Sequence, residues 1–295
     1  MIHFAKAWAA SLTIASLLAA QSDEAVRRGI AFMDRMADNP KVFADYGDDL
    51  LHFYAEVGAP KGHELALRWV KAHQSVPAHA TPDELLALST GAWSAEHLGV
   101  SAKGLREAVR RQARKYTSKE MLGFDMAHEP PATFDMWCDA LITSFTGDLV
   151  SSKAVLRWLP AMRPYPSASD SVTYAITHTI YVLNGYGVYA MDRKCFEPEF
   201  EYLRGHLPNA IREQDPEVTG EFLDTLRAFG MTDSDPLIRQ GVTFLLAKQN
   251  PDGSWGDPNE SDIYTRYHST WTAIDGLRQY HFKPARGCPA SWRTR

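Results

Sequence analysis

Two stretches of the chain open on a histidine followed by a hydroxyl residue, then run apolar to a glycine: His178 in THTIYVLNGYG and His268 in YHSTWTAIDGL. Imidazole titrates near neutrality and also ligates metals. Its return at equivalent places directs attention to what stands there in the other apolar runs. Counting back nine or ten residues from each glycine-ended run gives Asp49, Thr90, Cys138 with Asp139, His178, Glu221 and His268. Five of these six positions can ionise or bind metal, on runs whose later turns are apolar. Two chemistries fit. Cys138, His178 and His268 make a zinc set, since thiolate and imidazole suit zinc and an open fourth position holds water or substrate. His178, Glu221 and His268, on consecutive runs, are the easier set to bring together. Asp139, Asp135 or Glu221 would then orient a ligand imidazole or move a proton, although Glu221 also reads as a solvated or salt-bridged residue. Alternatively, a carboxylic acid kept protonated by burial acts as general acid, with Asp135, Asp139 or Asp49 as donor.

Other candidates are less specific. His52 lies one turn beyond Asp48 and reads as a structural histidine able to line a cavity. His79, and His128 with Glu129, fall in loops. Trp137, Trp271, Tyr264 and Tyr267 flank the proposed layer and suit either a core or the wall of an apolar or sugar-like site.

The elements that must position these residues are helices. Helical patterns end on Gly58, Gly99, Gly147, Gly187, Gly230 and Gly276, the residue type that commonly follows a helix end. The spacing, roughly 40–48 residues, is that of a two-helix repeat. After each of the first five glycines comes a short turn and a more charged helix. A sixth charged partner, SDEAVRRGIAFMDRMA, precedes the first repeat with Ser22 as its expected N-cap. Charged stripes face water, so the less charged set is expected inside. The expected fold is all-α, an (α/α)6 barrel or toroid of six helical hairpins over residues 21–295, with no internal linker. Return segments such as NPKVFADYGDD and NPDGSWGDPNESDIYTRY read as long loops. Long loops at one end of a rigid scaffold usually build the site, so the mouth is expected where the inner helices begin.

The 295 residues, 45% hydrophobic, suffice for a sizeable core, and a net charge of −5 with no dense basic cluster excludes a nucleic-acid partner. The run RRQARK at 110–115 reads as a solvated helix face. Residues 1–20, with Lys6 before an apolar stretch, resemble a secretory signal. That implies a periplasmic or secreted protein with no membrane span in its mature form. Three cysteines leave Cys195 and Cys288 able to pair, with Cys138 left over.

FLLAKQNPDGSWG, residues 244–256, resembles the QW repeat motif of the terpenoid cyclase and protein prenyltransferase toroids. That resemblance implies structural roles for Gln249, Gly253 and Trp255. The two His-led runs look like the prenyltransferase helix that carries its zinc-ligand histidine, and Cys138 matches the family's cysteine. Met136 stands where the family has a ligand Asp, and the cyclase Asp-x-Asp-Asp motif is absent, DYGDD at 45–49 being the nearest approach. The expectation is an exported toroid enzyme with zinc at the barrel mouth. The metal would polarise a substrate oxygen or activate a thiol or water, on a small or isoprenoid-like substrate in a central cavity. The alternatives are a metal-free acid-catalysed isoprenoid cyclase, a polysaccharide-degrading lyase or hydrolase, and a non-catalytic binding toroid.

Overall fold

The computed structural model describes residues 2–166, 169–285 and 287, with side chains from residue 17 onward. Most of the expected signal segment therefore lies outside the described side chains, and Cys288 lies outside the described residues. Among the described residues all regular structure is helical, in fourteen helices with no strand. The helices are α1 (Ile2–Asp38), α2 (Pro40–Val57), α3 (Gly62–Ala72), α4 (Pro82–His97), α5 (Lys103–Ala113), α6 (Ser118–Leu122) and α7 (Phe134–Ser144). They continue with α8 (Ser152–Leu156), α9 (Leu159–Met162), α10 (Asp170–Asn184), α11 (Glu197–Glu213), α12 (Pro216–Ala228), α13 (Pro236–Lys248) and α14 (Ile263–Leu277). No helix among the described residues is long and apolar enough to cross a membrane.

The chain divides into two compact units, residues 37–199 with the stretch from 283, and residues 1–36 with 200–282. In the 37–199 unit α2 packs along α4, and α7 along α10. In the 200–282 unit α12 packs along α14. These are consecutive members of the less charged set, so the alternation read from the sequence governs packing inside each unit. Their contacts bury Leu50, Leu51, Phe53, Trp137, Leu141 and Ile180 in one unit. In the other they bury Phe222, Leu223, Leu226, Tyr267, Ile274 and Leu277. Each such side chain contributes roughly 1.5–3 kcal/mol on leaving water.

Helix ends follow local chemistry. Gly58, Gly99, Gly147, Gly187 and Gly230 all adopt positive φ, from +67° at Gly58 to +86° at Gly230, where a Cβ would be strained. Helix α10 in fact closes two residues earlier, at Gly185. The sixth expected stop is different in kind. Gly276 lies inside α14, and a Cβ there would meet the Gly220 carbonyl oxygen at 2.9 Å. A Cβ on Gly220 would sit 2.4 Å from the Thr272 carbonyl oxygen. This glycine pair allows α12 and α14 to touch backbone to backbone.

Three start signals differ from expectation. Ser22 is buried within α1 rather than capping it, because the helix continues unbroken through the preceding residues. NPKVFADYGDD is helical. Asn39 Oδ1 accepts from the Lys41 and Val42 amides, Pro40 fits the first turn, and the helix kinks at Tyr46 (φ −134°, ψ 24°). SKAVLRWLPAM forms two short helices, α8 and α9, not one.

The QW-like loop is a structural clasp. Trp255 Nε1 donates to the Leu245 carbonyl of α13 (2.8 Å), and its backbone N–H donates to Thr270 Oγ1 of α14 (3.0 Å). Gln249 Nε2 reaches the Ala25 carbonyl of α1 (2.8 Å) and the Gly253 carbonyl (3.0 Å). Cys138 stands outside any disulfide and Cys195 is disulfide-bonded.

Candidate active site

The six positions found by counting back do not form a first-turn layer. Caps set the helix starts further upstream: Thr81 and Glu84 make a capping box for α4, and Ser169 caps α10. Thr90 and His178 therefore fall in the middle of α4 and α10, while Cys138 is one turn into α7. Cys138 and His178 belong to the 37–199 unit and His268 to the 200–282 unit.

His178 directs Nδ1 at the Tyr174 carbonyl (2.8 Å), the hydrogen bond of a ring seated on its own helix. His268 Nδ1 lies 3.2 Å from Glu217 Oε1. Among the described residues no three His, Cys, Asp or Glu side chains are grouped to hold a metal ion. Cys138, His178 and His268 are not part of such a group within either unit.

Within the 200–282 unit, polar groups are used on one another. Glu217 accepts from Ser269 Oγ (3.1 Å) on one oxygen and faces His268 with the other. The hydroxyl points at the carboxylate, not the imidazole. Tyr264 stacks on the His268 ring at 5.0 Å. Glu221 is fully buried rather than solvated. Asp224, equally buried, faces Arg278, Tyr280 and Arg227. Burial pushes its carboxyl up to about 6 while those three groups oppose the shift. Arg278 Nε stands 2.9 Å from both Asp275 Oδ1 and Tyr280 Oη. Arg227 reaches Asp233 Oδ1 (2.7 Å) and the Gly276 carbonyl (3.1 Å).

The 37–199 unit arranges its groups differently. His52 of α2 is buried, stacked on Phe145 at 4.8 Å with the rings 9° apart. Trp93 and Tyr186 approach it edge-on at 5.5 and 4.5 Å. Tyr186 stacks on Tyr181, which meets His178 at 5.5 Å. Trp93, Phe145, His178 and Tyr186 all keep solvent-accessible surface, so the rings line an open wall. Burial, then the nearby charges of His97 and His178, lower the His52 imidazole to about 3. It is neutral at physiological pH.

One turn earlier on the same face of α2 sits Asp48. Burial, then the charge of Asp49, push its carboxyl up to about 7, against hydrogen bonds from the Asp48 and Asp49 amides. The kink at Tyr46 places those amides at the start of the straight part of α2. Gly47 lets the Trp69 ring approach there, where an added Cβ would be 3.2 Å away.

Asp135 and Asp139 are exposed on α7. Partial burial, then the charges of Asp135 and Asp83, raise the Asp139 carboxyl. Trp137 is a core residue whose Nε1 donates to Thr179 Oγ1 of α10 (3.0 Å). His128 is exposed and pairs with Asp125 at 2.8 Å.

Sequence reasoning passed over Trp93, Phe145 and Tyr186, and used Asp48 only as a landmark. Phe145 caps α7 and Tyr186 follows α10, so the wall gathers residues from glycine ends, not from the long-loop ends expected to form the mouth. Tyr186, between two glycines at φ +53°, was the available signal. No protein-family model, curated protein or solved structure matches this chain.

Proposed function

We propose that the chain is an acid–base enzyme that protonates an apolar, unsaturated substrate of isoprenoid type, with Asp48 as proton donor. The observation that carries this reading is the pairing on one face of α2 of a carboxyl held up to about 7 with a neutral imidazole set among accessible rings. At pH 7 a substantial fraction of Asp48 is protonated and able to give a proton to a double bond. The positive charge that then develops on carbon is stabilised by the ring faces of Trp93, Phe145, Tyr186 and Tyr181 through cation–π attraction. His52, being neutral, adds no opposing charge, and the closing proton returns to the Asp48 carboxylate, the stronger base of the two. Asp49 raises the donor's pKa by its own charge, and Asp48 exchanges its proton with solvent between turnovers.

The test is incubation of the full chain with linear polyprenyl substrates in D2O with a chelator present, followed by mass spectrometry of the products. The reading expects deuterium in the products, and loss of turnover by about 10²–10⁴-fold in Asp48→Asn, the usual contribution of a general acid. Turnover that keeps its rate in Asp48→Asn would refute it. Activity abolished by the chelator and restored by zinc would favour the rival reading, in which Cys138 and a histidine hold a metal. Export directed by residues 1–20 belongs to the same proposal, and N-terminal sequencing of protein recovered from an exporting host tests it.

A further inference from the structure

The 37–199 unit holds a cavity whose lining shares no residue with the aromatic wall. It has a volume of about 450 Å³, lies beside α5 and α6, and is floored by the segment from Gly147 to Ser151. That volume is within the roughly 300–1,000 Å³ of small-molecule sites. Its cationic lining is Arg110 of α5 and Arg114, which caps that helix one turn further on. Its apolar lining includes Met121, Met126, Leu149 and Val150.

The charges around it do not balance. Asp148, whose side chain is inaccessible to solvent, is shared between two guanidinium groups. Arg106 Nε contacts it at 2.6 Å and Arg110 Nε donates to it at 2.7 Å. Arg106 has a second acid, Glu96 at 2.7 Å. Arg114 continues the same stripe, lines the cavity, and makes no ion pair or hydrogen bond among the described residues. Three guanidinium groups thus face two carboxylates, and the surplus charge is at the cavity wall. Arg110 keeps about half of its side chain accessible (47%) despite its pairing. Arg110, Arg111, Arg114 and Lys115 are all exposed, as expected of a solvated face, and Arg110 and Arg114 also line the cavity.

We propose that this cavity binds a small monocarboxylate with an apolar body, its carboxylate on Arg114 and Arg110 and its hydrocarbon portion against Met121, Met126 and Leu149. The planar guanidinium fork matches a carboxylate in two parallel hydrogen bonds. The thioether side chains adapt to an irregular apolar ligand. An inorganic anion would leave the apolar half unfilled.

Calorimetric titration of the full chain with hexanoate, phenylacetate and inorganic phosphate tests the assignment. The expected result is saturable binding of at least one carboxylate, weakened about tenfold or more in Arg114→Met. A cavity-filling Val150→Trp variant should also abolish it, with circular dichroism confirming that both variants fold. Absence of saturable carboxylate binding, undiminished affinity in both folded variants, or phosphate binding as tightly as the carboxylates would overturn it.

Discussion

The two units follow one plan of paired helices, yet place their buried polar groups to opposite ends. In the 200–282 unit, Asp224, Asp275, Arg227, Arg278 and Tyr280 brace one another around a glycine contact, and the clasp at Gln249 and Trp255 ties three helices. In the 37–199 unit, His52 is surrounded by rings, and Asp48 one turn away has a like-charged neighbour instead of counter-ions. A buried carboxyl given cations is raised less than burial alone would raise it. One beside another carboxylate resists ionisation, which is a cost that a purely structural unit has no reason to carry.

The comparison can be broken first at the clasp. Trp255→Ala should destabilise the 200–282 unit by about 3–5 kcal/mol, the usual cost of truncating a buried tryptophan. Urea unfolding followed by circular dichroism measures it. A loss below 1 kcal/mol would mean that the clasp is incidental.

One substitution made in both units sharpens the contrast. Gly220→Ala pushes a Cβ into the α14 backbone and should cost about 1–3 kcal/mol, the price of overpacking. Gly104→Ala in α5 meets nothing within 4 Å and should stabilise by about 0.5–1 kcal/mol through helix propensity. Loss of stability in both variants would remove the distinction between a backbone-contact helix pair and an ordinary one.

The pH dependence is a smaller effect but reaches the same point. Asp48 and Asp224 both have folded-state pKa values raised above the unfolded value, to about 7 and about 6. Between about pH 4 and those values the folded chain holds protons that the unfolded chain has lost, so stability falls as pH rises through that interval. Asp224→Asn should remove the part of the decline that ends near pH 6, and Asp48→Asn the part that continues to about 7. Unfolding midpoints measured from pH 4 to 8 would show this. A slope unchanged in Asp48→Asn would place its carboxyl in water.

Much of the scaffold was legible because it rests on residues with few alternatives. Glycine at a left-handed helix end announces itself, and five of six expected stops take that conformation or lie beside one that does. The Gln249–Trp255 clasp was legible for the same reason, since its side chains have few other ways to reach backbone carbonyls. What escaped was decided by neighbours distant in the chain. Ser22 has the type of a cap but lies within a longer helix. Gly276 has the type of a stop but serves a close approach by Gly220. His178 and His268 share a pattern while one ring turns to its own helix and the other to Glu217. Asp48 has its like-charged neighbour Asp49 beside it in the sequence, but the burial that contributes most to its raised pKa comes only with folding.

The most direct test of the account is a carbon-13 NMR titration of the Asp48 carboxyl in the full chain, assigned by comparison with Asp48→Asn. The account predicts a midpoint near pH 7, with His52 remaining neutral across the titration. A midpoint near 4, the ordinary value for an aspartate in water, would contradict it.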